Sequence, residues 1–195
     1  MRKILVLFAH PLVHKSRVNI QLIKAVEGLD NVTVNHLYEN YPDFYIDVKR
    51  EQELLLEHDV IIWHHPFYWY SAPAMIKEWF DLVLEHGFAY GSEGNALKGK
   101  YAMTTISTGG RESTYQSNGL NQYPINDFLI PFRQSANLCR MTYLPPFVIY
   151  GSHLLDDSAI HEKSKQYRRV VEFLRDGNYH EGNTDQLVSM NQWIS

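Results

Sequence analysis

Several residue classes are scarce in this 195-residue chain, and their scarcity excludes several classes of function. Cys139 is the single cysteine, so an internal disulfide cannot form and a thiolate metal site has too few ligands. No apolar run approaches the ~18 residues of a membrane-spanning helix. The net charge of −4 gives no broad basic surface for nucleic acid. With no secretory pattern at the N-terminus, these absences predict a cytoplasmic protein without a membrane span of its own.

The sequence signatures of several α/β enzymes are also missing. There is no G-x-G-x-x-G fingerprint of a dinucleotide-binding domain and no G-K-[ST] phosphate loop. The G-x-S-x-G elbow of a serine hydrolase is absent as well. Any catalytic or binding site must therefore be built from other residues.

Short, unbroken apolar runs alternate with helical patterns along the chain. A run without a polar face suits a strand that is buried on both sides, as in a parallel sheet. Such runs predict five strands, over residues 4–8, 32–37, 60–64, 101–107 and 147–150. With right-handed crossovers, they predict an α/β fold with a doubly wound five-stranded parallel sheet in the flavodoxin-like order 2-1-3-4-5.

The later part of the chain carries two more helical patterns and a polar end. Residues 125–139 predict a helix, in which Pro131 predicts a kink. Residues 156–175 predict a closing helix that completes a single domain over residues 1–175. Residues 176–195 are mostly polar, with a few scattered apolar residues. We expect them to form a C-terminal tail that is either disordered or lies over a partner.

Histidines stand out at the end of the third predicted strand. His64 and His65 occupy the place where a receiver domain carries its acceptor aspartate. Successive side chains of a strand point to opposite faces, so this pair cannot easily share one metal ion. The remaining histidines show no ligand spacing with carboxylates, and the sequence predicts no metal site.

The first strand leads into a candidate anion site. Proline follows His10 and ends the strand, and Ser16 stands at the N-cap position of the next helix. The first turn of a helix has unpaired amides and the positive end of the dipole, which suit an anion. One interpretation is a phosphate cradle of His10, Ser16 and the amides of Arg17, Val18 and Asn19. The other is a capped helix joined to a strand by an ordinary loop.

Two further loops should meet this cradle at the carboxyl ends of the strands. The loop after the third strand is aromatic and the loop after the fourth contains a glycine pair; their residues are Phe67, Tyr68, Trp69, Tyr70, Ser107, Thr108, Gly109 and Gly110. Rings that pack on a ligand face and glycines that admit close approach suit a flat aromatic ligand with a phosphate. The alternative is that the rings are core and the glycines a turn. Among such ligands, flavin fits best by analogy of fold and ligand shape.

Motifs in these loops resemble those of the flavodoxin-like NAD(P)H:quinone oxidoreductases. They are A-H-P at residues 9–11, S-x-x-N at 16–19, H-P-x-x-W-Y at 65–70 and T-G-G at 108–110. Other segments are similar to the ancillary proteins of bacterial glutathione-regulated potassium-efflux systems. They are Y-P-D-F-Y-I-D at 41–47, P-A-M-I-K-E-W-F-D at 73–81, H-G-F-A-Y-G at 86–91, N-Q-Y-P at 121–124 and L-P-P-F at 144–147. The resemblance covers residues 2–175 and leaves the tail uncovered.

This resemblance implies an enzyme that binds FMN and transfers a hydride from NAD(P)H to a quinone. It implies that His10 and residues 16–19 hold the FMN phosphate, that residues 67–70 wrap the ring, and that residues 107–110 contact its pyrimidine end. The alternative is a regulatory subunit that binds flavin or nucleotide with little catalytic activity. The resemblance also implies peripheral docking on a membrane potassium-efflux antiporter; the alternative is a soluble dimer that detoxifies quinones and touches no transporter.

The resemblance also implies a homodimer in which the partner subunit completes each flavin pocket. The sequence supports an interface independently, because aromatic residues accumulate in loops at 44–45, 67–70 and 88–90. Loops of one small domain rarely bury so many rings, so we expect part of this area at an interface.

One position departs from the resembling enzymes. In mammalian-type quinone reductases, a tyrosine and a histidine after the glycine pair assist hydride transfer. Tyr115 stands at the tyrosine position, whereas Asn121 stands near the histidine position. Asparagine donates hydrogen bonds but takes up no proton at neutral pH, so we expect modest turnover.

Overall fold

The computed structural model describes residues 1–177, 179 and 188–193. In these residues, six strands form one sheet: β1 Ile4–Phe8, β2 Val32–His36, β3 Val60–Pro66, β4 Tyr101–Ser107, β5 Thr142–Tyr143 and β6 Phe147–Ile149. The helices are α1 Arg17–Val26, α2 Leu37–Asn40, α3 Val48–Glu57, α4 Ala74–Val83, α5 Ile125–Phe128, α6 Ile130–Leu138, α7 Asp157–Arg175 and α8 Met190–Trp193.

The strand order is β2-β1-β3-β4-β5, and every ladder is parallel, which confirms the predicted order. The strand predicted over residues 147–150 is β6, which ends at Ile149, whereas the two-residue strand β5 was not predicted. β5 and β6 pair with successive parts of β4 at the same side of the sheet. Pro145 and Pro146 lie between them, and proline has no N–H to give to a ladder.

The two faces of the sheet carry separate apolar cores, because side chains alternate along the fully buried β1. Leu5 and Leu7 pack in the core that contains Trp79 of α4. Ile4, Val6 and Phe8 belong to the opposite core, under α1 and α7. Two-sided burial explains why the first and third strands read as unbroken apolar runs.

The helical pattern over residues 125–139 forms two helices, α5 and α6, so the prediction of one kinked helix is wrong. Leu129 separates them, and Pro131 lies in the first turn of α6. At that position a missing N–H leaves no hydrogen bond unmade, because first-turn amides have no partner within a helix. The closing helix agrees with its prediction, with Asp156 as the N-cap of α7.

Part of the predicted tail over residues 176–195 is described, and these residues pack on the domain. Tyr179 is buried against the ring of Tyr101, and Met190 of α8 is fully buried. The rest of that prediction, at 178, 180–187 and 194–195, lies outside the described residues. Among the helices described, none is long and apolar enough to cross a membrane.

Candidate functional site

The loops after β1, β3 and β4 meet at the carboxyl edge of the sheet around two adjoining cavities. The first, of about 410 Å³, is lined by the predicted residues His10, Ser16, Arg17, Val18, Asn19, Phe67, Tyr68, Ser107 and Gly109. The second, of about 330 Å³, shares the wall formed by Phe67 and is also lined by Trp69, Tyr70, Gly110, Tyr115 and Asn121. Thr108 lines neither cavity; it is buried, and its Oγ1 donates a hydrogen bond to the Gly110 carbonyl.

The N-terminus of α1 faces the first cavity. Ser16 is its N-cap, because its Oγ accepts a hydrogen bond from the Asn19 amide at 3.2 Å. The amides of Arg17 and Val18 remain as first-turn donors without a partner inside the helix. Lys15 and Arg17 also line this cavity, and the Arg17 guanidinium is ion-paired with Asp157 at 2.6 Å. The first-turn amides, the helix dipole and Lys15 together favour an anion here.

Asn19 supports the cradle from behind. Its side chain is 3% exposed and donates from Nδ2 to Ser16 Oγ at 3.0 Å and to Ser107 Oγ at 2.9 Å. Its Oδ1 lies 3.2 Å from Nε2 of His64. Burial holds the pKa of His64 well below its ordinary value, so the ring is neutral and Nε2 donates. One buried amide thus ties the cradle to the ends of β3 and β4.

His10 is a neutral hydrogen-bond donor at the opposite wall of the cradle. Its Nδ1 accepts a hydrogen bond from the Leu12 amide at 3.1 Å, which places the proton on Nε2. Burial lowers the pKa of His10 below its ordinary value, so the ring carries no charge at neutral pH. The ring also packs edge-on against Tyr68, with centroids 6.1 Å apart.

His64 and His65 face opposite sides of the sheet, as predicted. His64 packs against Tyr167 of α7, whereas His65 stacks on Phe132 of α6. Burial lowers the pKa of His65 to about 4. Both rings are therefore neutral core residues. Within the described parts of the chain, no three His, Cys, Asp or Glu side chains gather around a metal-sized point.

The aromatic loop contains a tight turn over residues 68–71, closed by a hydrogen bond of 3.0 Å from the Ser71 amide to the Tyr68 carbonyl. Its two central residues, Trp69 and Tyr70, have φ angles of 50° and 61°. Asn and Gly normally occupy such positions, because other residues are strained there. Strain of this kind costs about 1–3 kcal/mol per residue and clusters at ligand clamps. The turn holds Trp69 at 93% exposure beside the second cavity.

Tyr115 and Asn121, the two predicted catalytic residues, lie together in the second cavity. Tyr70 donates from its hydroxyl to Asn121 Oδ1 at 3.4 Å. Burial raises the pKa of Tyr115, and hydrogen bonds with Thr108 and Asn121 oppose that rise. The phenol is therefore protonated at neutral pH and acts as a hydrogen-bond donor.

The two glycines of the loop after β4 differ in their surroundings. A Cβ on Gly110 would lie 2.7 Å from Oγ1 of Thr114 and 3.0 Å from the ring of Tyr115. A Cβ on Gly109 would meet only the ring of His153, at 3.8 Å, beside the first cavity. A larger residue at position 110 would therefore clash with the packing of Tyr115, so glycine is required there. The absence of a side chain at Gly109 leaves this part of the cavity wall open.

A fourth loop, residues 151–153, completes the first cavity and was missed from the sequence. The amides of Gly151 and Ser152 donate to the carbonyls of Gly110 and Thr108 at 2.8 and 2.9 Å. Ser152 and His153 line the cavity beside Gly109. The predicted strand order could have indicated this loop, because the loop after the last parallel strand must also lie at the carboxyl edge of the sheet.

Comparisons with known proteins agree with this geometry. A family model described as a flavodoxin-like fold matches residues 2–171. The chain is 47% identical over 165 residues to the glutathione-regulated potassium-efflux system ancillary protein KefG of Enterobacter sp. (strain 638), a match that covers 85% of this chain and 90% of that protein.

Two solved structures have the same fold. General stress protein 14 of Treponema denticola in complex with FMN superposes with a TM-score of 0.84 at 34% identity, over 88% of this chain and 99% of that one. An NADPH-quinone reductase from P. pentosaceus gives a TM-score of 0.78 at 32% identity, over 87% and 97% of the two chains. The chain therefore belongs to the family with the flavodoxin-like fold, and potassium-efflux ancillary proteins are among its relatives.

Proposed function

We propose that this protein binds FMN and transfers a hydride from NAD(P)H to a quinone, as an ancillary protein of a potassium-efflux transporter. The observation that carries this proposal is the pair of adjoining cavities. One has an anion cradle at the N-terminus of α1, and the other contains Tyr115 and Asn121. The relatives named KefG and NADPH-quinone reductase support the two halves of the proposal.

The residues present fit FMN. The phosphate would be held by the amides of Arg17 and Val18, the hydroxyl of Ser16, and the Nε2–H of His10, with Lys15 as a nearby cation. The open side of Gly109 leaves room for a flat ring to approach the backbone. The volume of about 410 Å³ falls in the range usual for small-molecule sites.

FMN supplies the two-electron hydride chemistry, and this chain supplies position and electrostatics. The cradle fixes the phosphate, and we expect the loop at residues 107–110 to stabilise negative charge that develops at the pyrimidine end. Tyr115 keeps its phenolic proton and offers it as a hydrogen bond in the second cavity. Asn121 orients neighbouring groups and takes up no proton, so we expect modest turnover.

A second candidate function is a regulatory subunit that switches the transporter through ligand occupancy with little catalysis. Asn121 favours it, because the position lacks a proton acceptor. Regulation requires that the ligand bind the two states of the complex with different affinity. Docking would be peripheral, on the cytoplasmic face of the membrane and through the partner protein.

We also propose a homodimer. Three large apolar or aromatic side chains line the second cavity and are exposed in the isolated chain: Trp69, Tyr70 and Leu120. Such a patch is typical of an interface, and a second copy would close this cavity. Light scattering at micromolar concentration tests the proposal; a monomer would contradict it.

Flavin binding and turnover are tested on the purified protein. FMN should co-elute with it and lose fluorescence on binding, and in the absence of oxygen NAD(P)H should be oxidised continuously only when FMN and a quinone are both present. Excess FMN that neither co-elutes nor changes fluorescence would overturn the cofactor assignment. FMN binding without quinone-dependent oxidation would leave the regulatory candidate.

Tyr115→Phe separates catalysis from regulation in cells. The substitution keeps the ring that packs against Phe67 and Tyr150 and removes only the hydroxyl. If hydride transfer is what the transporter senses, the variant should lower both quinone reduction and potassium efflux. Normal efflux with reduced turnover would favour regulation by occupancy. Efflux that does not depend on this gene, without co-purification of an antiporter, would remove the ancillary role.

A further inference from the structure

The described C-terminal segment, residues 188–193, lies along the outer edge of β6. The side chain of Asn191 bonds both backbone groups of one β6 residue. Its Oδ1 accepts from the Val148 amide at 2.9 Å, and its Nδ2 donates to the Val148 carbonyl at 3.0 Å. One amide side chain therefore satisfies the same two groups that a neighbouring strand would satisfy.

Several other contacts hold this segment in place. Met190 is fully buried, and its amide donates to the Pro146 carbonyl at 2.9 Å. The rings of Trp193 and Phe173 have centroids 3.7 Å apart. The Asn126 side chain donates to the Val188 carbonyl at 2.9 Å. The segment is thus held by Pro146, α5 and α7 as well as by β6.

The edge strand beneath Asn191 is short and leads directly to the first cavity. β6 has three residues and follows a proline, so few ladder hydrogen bonds fix it. Val148 pairs with Ile106 of β4, and the next carbonyl, of Ile149, accepts from the Thr108 amide at 2.8 Å. Residues 151 and 152 then bond the carbonyls of Gly110 and Thr108.

We propose that Asn191 is a positioning residue for the flavin site. It fixes β6, and β6 in turn fixes the glycine loop at 107–110 and the loop at 151–153 that form one wall of the first cavity. The family match ends at residue 171, so the segment at residues 188–193 lies outside it. The contact of Asn191 with β6 is therefore not part of the motifs that the family model matches. The part that concerns ligand affinity rests on the proposed binding of FMN.

The main variant is Asn191→Ala, and Gln52→Ala is its matched control. Gln52 also makes two hydrogen bonds, to the Val83 carbonyl and to Glu85, in a part of the fold that does not line the cavities. Hydrogen–deuterium exchange is measured without flavin on peptides that contain residues 107–115 and 147–153. FMN affinity is measured by fluorescence quenching, and a chain that ends at residue 187 serves as a second variant.

Asn191→Ala should speed exchange in both peptides and weaken FMN about threefold to tenfold, the equivalent of roughly one hydrogen bond. Gln52→Ala should change neither. If Asn191→Ala leaves exchange in both peptides and FMN affinity as in the wild type, the segment only covers a strand edge and the proposal is wrong. If wild-type protein binds no FMN, the proposed function fails, while the exchange experiment still decides whether Asn191 positions these loops.

Discussion

Replacing Asn19 by aspartate tests the phosphate cradle without changing its shape. The Asn19 side chain donates to the hydroxyls of Ser16 and Ser107, and both hydroxyls can turn to donate to a carboxylate instead. His64 still donates from Nε2 to the remaining oxygen. The substitution therefore keeps the three contacts of this side chain, turns the Ser16 hydroxyl proton away from the phosphate, and adds one negative charge behind the cradle.

The size of the effect follows from the hydrogen-bond chain. A phosphate oxygen beside the Ser16 hydroxyl would lie two hydrogen-bond lengths from the new carboxylate, a separation of about 6 Å. At an effective dielectric constant of ~20, two unit charges at that separation repel by about 3 kcal/mol. Asn19→Asp should therefore weaken FMN by roughly a hundredfold. Riboflavin lacks the phosphate, so its affinity should change far less.

Fluorescence titrations with FMN and riboflavin measure both affinities. Asn19→Ala is the control, because it removes the same hydrogen bonds without adding charge. Equal weakening of FMN and riboflavin by Asn19→Asp would refute a phosphate beside Ser16.

Three further outcomes are expected. Gly109→Ala should leave the melting temperature unchanged, because the new methyl group lies 3.8 Å from His153, but should weaken FMN; unchanged FMN affinity would contradict an approach of the ring here. Glu51→Ala should lower the free energy of unfolding in urea by about 3–5 kcal/mol, because four side chains donate hydrogen bonds to this fully buried carboxylate. A loss below about 1 kcal/mol would contradict the stabilising role of this carboxylate. Burial lowers the pKa of His64 and of His65, the latter to about 4, so the unfolded chain takes up protons that the folded chain does not. Stability should therefore fall as the pH falls from about 6.5 to 4, and an unchanged urea midpoint over that range would refute this.

The local sequence pattern predicted those parts of the fold that depend on interactions between residues close together in the sequence. Two-sided burial requires the unbroken apolar runs of β1 and β3, and the number and spacing of such runs predicted the strand order. Ser16 was recognisable as an N-cap because the hydrogen bond it makes spans only three residues. The approach of the three loops then followed from the topology of a parallel sheet.

Features that depend on distant pairings could not be predicted in the same way. The two-residue strand β5 was not predicted, because its pairing with Tyr101 and Ala102 at the start of β4 leaves no apolar run in the sequence. The hydrogen bonds between Asn191 and Val148 of β6 join residues 43 positions apart, and no periodic pattern in the sequence predicts such a contact. The pairing of Tyr115 with Asn121 was expected only through family resemblance, since a polar loop has no pattern that fixes its folding.

The charges at the two ends of the site suggest how binding and catalysis are divided. Lys15 and Arg17 line the first cavity at the cradle, and Arg17 is ion-paired with Asp157. Burial holds His10 and Tyr115 in their uncharged forms, so at neutral pH each donates a hydrogen bond. Asn121 at the second cavity adds no titrating group. This arrangement favours firm attachment of an anionic ligand and offers few groups that move protons, which favours the proposed regulation by ligand occupancy over rapid turnover.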